Sequence, residues 1–203
     1  MRVLALLLVL GWGNLARADG VYVSDALGAT RIQGDVGVRL PRAVRARVAI
    51  GVRRDHWAFE GFLVGDLAWQ NLRDEVTSFA PSSNARAFAE WGATLKYIEP
   101  LGGRFEAYSH LDIGEASTGG FLDGYGGPGI SGGVGIQLKG KVSALGALFL
   151  PLAFTHWGPR VTGAIFLDAS YGMFRMQNSE PGSRTMSAQT SSLLVGLSLG
   201  SDF

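Results

Sequence analysis

Trp57-Ala58-Phe59-Glu60-Gly61-Phe62-Leu63-Val64-Gly65-Asp66-Leu67-Ala68-Trp69 is the stretch on which the fold turns. Its odd positions are aromatic, aliphatic or glycine, and its even positions hold both carboxylates, Glu60 and Asp66. A period of two belongs to a β-strand with one apolar and one wet face. Twelve steps at roughly 3.3 Å, tilted by about 40°, climb about 30 Å, so Trp57 and Trp69 reach opposite edges of an apolar band of bilayer thickness.

The same period recurs on both sides of this stretch. Over residues 30–40, Ile32, Gly34, Val36, Val38 and Leu40 alternate with Arg31, Gln33, Asp35, Gly37 and Arg39. Residues 45–53 set Ala46, Val48, Ile50 and Val52 against Arg45, Arg47 and Arg53, and the short link 41–44 predicts a hairpin. Further strands are expected at 57–69, 87–98, 104–114, 131–149, 161–175 and 188–203, eight in all, with polar or glycine-rich loops at 70–86, 115–130 and 177–185. Residues 132–154 admit two readings. A break at Lys139-Gly140-Lys141 gives two strands; unbroken alternation gives one, with 151–160 as the turn. The single strand is preferred because it gives an even total with both chain ends on one side.

Composition narrows the class. The chain has 30 glycines, 47% hydrophobic and only 17% charged residues, and a mean hydropathy of +0.18. No window after the first residues is long and apolar enough for a spanning helix. Residues 1–18 read as a secretory signal peptide: Arg2, an apolar run to Trp12, then Ala16-Arg17-Ala18. Removing it leaves residues 19–203 as one domain without cysteine, and with 16 basic against 17 acidic residues, since Arg2 and Arg17 leave with the signal. Near-neutrality gives no footing for a nucleic-acid partner.

Signal peptide, dyad repeat, alternation of long and short connections, and the terminal strand from Leu193 to Phe203 together resemble the small outer-membrane barrels of the OmpA/OmpX type. The resemblance implies an all-β, closed, up-and-down antiparallel transmembrane barrel in the outer membrane of a Gram-negative cell envelope. It also implies that Phe203, the C-terminal aromatic, is part of the signal read by the barrel-assembly machinery, with periplasmic chaperones as transient partners and outer-membrane lipid and lipopolysaccharide as surroundings. A monomer is expected. The first loop, read as short, departs from that family's usual long one.

On this reading the lumen holds Arg31, Arg39, Arg45, Arg47, Lys96, Lys139 and Lys141 against Asp35, Glu60, Asp66, Glu90, Glu106, Asp112 and Asp168. Charges withdrawn from water must be paired, and an eight-stranded barrel has room for side chains and little else. The set is therefore expected to be a structural plug rather than a large porin-like pore. Trp57, Trp69, Trp91, Tyr97 and Tyr171 are expected at the lipid interfaces.

Two alternatives remain. A lipid-modifying barrel enzyme would need a nucleophile beside a base, yet alternation places Ser109 on the opposite face from His110 and Asp112. A soluble lipocalin-like ligand binder would need an apolar interior, with Asp35 and Glu90 outside. The glycines around residues 119–129 lack the Gly-Lys-Ser/Thr ending and following helix of a phosphate loop, and no cofactor or metal is expected.

Overall fold

The computed structural model describes residues 20–38, 40–68, 87–118, 125–141, 161–177 and 185–201. Eight strands run in chain order: β1 (Gly20–Gln33), β2 (Arg42–Arg54), β3 (Trp57–Ala68), β4 (Ala87–Gly102), β5 (Phe105–Thr118), β6 (Gly126–Lys141), β7 (Val161–Met176) and β8 (Met186–Ser201). A short helix, α1 (Gly34–Gly37), follows β1. Every strand pairs antiparallel with its chain neighbours, and β1 closes on β8 with Tyr22 opposite Gly200 and Gln33 opposite Gln189. The sheet therefore closes into an up-and-down barrel without an edge.

Alternation decides the two faces. On β3, Ala58, Glu60, Phe62, Val64 and Asp66 are turned inward, while Trp57, Leu63 and Leu67 are exposed. Outward positions elsewhere carry Leu27, Val48, Ile50, Leu95, Ile113, Val134, Leu167, Leu193 and Val195, all exposed. The wall is thus apolar outside and charged inside, the reverse of a soluble barrel. This arrangement removes the lipocalin reading, since Glu90 is 3% exposed within the lumen.

Two turns at the end where β1 begins and β8 ends are tight, at residues 55–56 and 103–104, where Asp55 and Gly103 adopt positive φ. The opposite mouth carries the connections 34–41, 69–86, 119–125 and 177–185. Strand β6 continues through Lys139-Gly140-Lys141, pairing Lys141 with Thr162, and closure leaves no place for an extra strand in the sheet. The one-strand reading therefore holds for residues 132–141. Its expected continuation to 149 and the turn at 151–160 lie outside the described residues, as does the signal segment.

Three expected boundaries are corrected. The first strand is 20–33, not 30–40, and the first connection is 34–41 rather than 41–44. Residues 115–118 and 126–130, read as loop, belong to β5 and β6. The first error has a physical cause. Ile32, Val36 and Leu40 are spaced by four, which satisfies a strand's period of two and also returns to one side of a helical turn. They do not face outward: with Ala43, Phe88, Ala116, Phe174, Met176 and Ala188 they form an apolar cluster stoppering the barrel mouth. Gly34, at φ +81°, lets the chain leave β1 and fold α1 inward.

Candidate functional site

Inside the barrel the charged side chains fall into three groups along the axis. Nearest the stoppered mouth, Arg45 donates from Nε and Nη2 to both oxygens of Asp66 at 2.9 and 2.7 Å, and Nη2 also reaches Glu90. This fork-to-fork pairing is the geometry that guanidinium and carboxylate share. All three side chains are buried.

In the middle, Arg47 bridges Asp112 at 3.2 Å and Glu60 at 3.3 Å and donates to Thr94 at 2.7 Å, with its guanidinium over the Phe62 ring. Thr94 and Ser131 both donate to Asp112, at 2.6 and 3.0 Å. Glu60 further accepts from Lys96 at 2.5 Å and from the Tyr22 hydroxyl at 2.6 Å. His110 stands between two carboxylates. Its Nδ1 lies 3.2 Å from Asp112, and Nε2 lies 3.1 Å from Asp168, an ion-pair contact off the alignment of a hydrogen bond. The inward phase of β6 makes room, because a Cβ on Gly133 would meet His110 and one on Gly135 would overlap the Tyr108 ring.

Toward the termini, Arg53 donates to both oxygens of Glu106 at 2.9 and 3.0 Å. Glu106 also accepts from Gln137 at 2.5 Å and pairs with Lys139 at 2.9 Å. The interior cavity beside this group, lined by Tyr22, Arg53, Lys96 and Gln137, measures ≈ 10 Å³, room for about one water.

The structure therefore brings together Arg45, Arg47, Glu60, Asp66, Glu90, Lys96, Glu106, Asp112, Lys139 and Asp168. Two expected members are corrected. Arg31 projects outward and is exposed, because its strand runs in the opposite phase to the 30–40 reading. Asp35 lies in α1 at the mouth and accepts from the Ser187 amide and hydroxyl at 2.9 and 3.0 Å. Arg39, the side chain of Lys141, Trp69 and Phe203 lie outside the described residues. Arg53, His110, Tyr22, Thr94 and Ser131 were not counted in the expected lumen set, although Arg53 shares the phase of Arg45 and Arg47, and His110 that of Asp112.

The outer wall carries the aromatic positions. Trp57 and Tyr97 meet edge to face at 5.0 Å where β1 begins and β8 ends, and there His56 stacks on Tyr97 and donates from Nδ1 to the Ile98 carbonyl, 2.8 Å away. Tyr97 donates to Glu99 at 3.0 Å. Tyr171 is exposed on β7 toward the other end, and Trp91 is half-buried on β4. Ser109 is exposed on the outer wall while its neighbour His110 is buried within, so these two side chains are separated by the sheet.

No protein-family model and no curated protein sequence matches the chain. Solved structures do. Neisserial surface protein A superposes with a TM-score of 0.53 at 16% identity, over 92% of this chain and 98% of that one. Ail, the attachment invasion locus protein of Yersinia pestis, gives 0.44 at 11% identity over 89% and 97%. The outer membrane protein OprG from Pseudomonas aeruginosa gives 0.39 at 12% identity over 90% and 96%. The chain thus has the fold of a small eight-stranded outer-membrane barrel.

Proposed function

We propose that this protein is an integral outer-membrane barrel with a structural or surface-binding role, without a large pore and without enzymatic activity. The observation carrying the reading is the inverted wall: aliphatic and aromatic side chains outside, paired ions and an apolar stopper inside. In water such a surface would drive aggregation; in lipid it is the ground state. Against an enzyme stands the separation of Ser109 from His110, since acyl transfer needs a nucleophile within reach of its base. The mouth opposite the start of β1 and the end of β8 faces outward in this reading and the other end faces the periplasm, with Phe203 proposed as part of the signal for the assembly machinery. Lipopolysaccharide and phospholipid are the surroundings.

The test is extraction and electrophoresis. The full-length protein, expressed with its leader, should fractionate with outer membranes and migrate differently before and after boiling in detergent. Clean release in osmotic-shock fluid would sink the membrane assignment.

A further inference from the structure

On the outer wall, Arg31 of β1 and Arg42 of β2 are directly opposite one another. Both are exposed, and among the described residues neither has an ion-pair partner. Like charges facing across a strand pair oppose folding, so the pair makes sense beside an anion. The cross-strand row continues from Arg31 to Ser191 of β8 and Tyr171 of β7, both exposed. Two guanidiniums, a hydroxyl and a phenol thus stand in one row, each able to donate. Above it the outward Gln33 and Gln189 also face each other. The nearby acid, Asp35, is held by Ser187 at the mouth.

Immediately below, the outward ladder turns apolar, with Val44, Ala29, Leu193 and Ala169 forming the next outward row. A groove of ≈ 550 Å³ begins at Leu193 and Ala169 and descends across Leu167, Val134 and Ile136 to Ala107, where Ser109, Tyr97 and Glu99 line its lower end. Its floor is low because Ala169 and Ala107 project little from the sheet. A donor row above a groove whose upper part is lined by small and branched residues is a mould for one amphiphile: an anionic head over a hydrocarbon chain.

We infer that Arg31, Arg42, Ser191 and Tyr171, with the groove below Leu193 and Ala169, form a binding site for a phosphate-bearing acylated lipid of the outward leaflet. This rests on the outer-membrane orientation proposed above. Arg31 and Arg42 hold the phosphate by charge-assisted hydrogen bonds, and one acyl chain lies in the groove. The arginines sit at the end of the apolar band where a headgroup lies.

The experiment uses the full chain in phosphatidylcholine nanodiscs containing a small fraction of lipid A, a diphosphorylated acylated disaccharide, with bound lipid counted by native mass spectrometry after detergent extraction. Arg31→Gln with Arg42→Gln should weaken lipid A retention by at least about tenfold, the loss of charged hydrogen bonds. Ala169→Trp, which fills the groove from the lipid side, should weaken it about threefold, while Leu63→Trp on β3 should leave it unchanged. Millimolar inorganic phosphate should not displace the lipid. Retention equal to the parent protein in both the arginine and the Ala169 variants overturns the site. Displacement by inorganic phosphate also overturns it, in favour of a free-anion site. A parent chain that inserts and keeps its heat-modifiable migration but retains no lipid A refutes the lipid site alone; failure to insert refutes the membrane reading itself.

Discussion

Asp25 projects from the middle of the outward ladder of β1, between Val23 and Leu27, with Val48 opposite on β2 and Leu197 on β8. It is exposed, and the ladder from Val21 to Ala29 rises only about 20 Å, so its carboxyl sits well within the apolar band. Lipid-facing acids cost stability there, though less than bases do. Asp25→Leu should therefore raise unfolding free energy by about 1–2 kcal/mol, read from urea titration in phosphatidylcholine vesicles; an unchanged or lower midpoint would show that Asp25 serves a contact. Arg45 presents the opposite case. Among the described residues it is the ion-pair partner of both Asp66 and Glu90, which are 0% and 3% exposed. Arg45→Met should cost about 3–5 kcal/mol in the same titration, because it strands buried anions. Adding Asp66→Leu should cost less than the two separate losses combined.

At the scale of elements, the residues that were easy to read and those that were not differ in one respect. Strands β2 to β5 carry charges on one face and branched or aromatic residues on the other, so phase followed directly from Arg45, Glu60, Glu90 and Glu106. In β1 the outward face is broken by Asp25, and the inward face holds Ser24, Ala26 and Thr30 rather than ions. Nothing in that mixture marks a strand with one apolar side, and the four-residue spacing of Ile32, Val36 and Leu40 then supplied a false one. Helix α1 exists because the mouth offers these side chains a dry place beside Phe88 and Phe174, whose rings meet edge to face at 5.4 Å. Phe88 is 0% exposed, so Phe88→Ala should lower stability by about 3–5 kcal/mol. A loss below about 1 kcal/mol would mean that the stopper closes over the gap.

For the molecule as a whole, closure and filling together predict electrical silence. Three ion-paired groups and an apolar stopper lie in series along the axis, so opening one of them leaves the others. In planar bilayers the protein should give no step of porin size, and neither should Phe88→Ala; large, regular steps from the parent chain would contradict the filled lumen. By itself the sequence determined the strand period, the polarity of most faces and the inward placement of Arg45, Arg47, Glu60, Asp66, Glu90 and Asp112, because a period of two is a local property that each strand displays unaided. Which acid each arginine meets, the outward turn of Arg31, the placement of His110 between Asp112 and Asp168, and the folding of α1 into the mouth were decided by the closed barrel. Those contacts join residues far apart in the chain, and only register around the ring, set by the tilt and stagger of all eight strands, brings them to the same height.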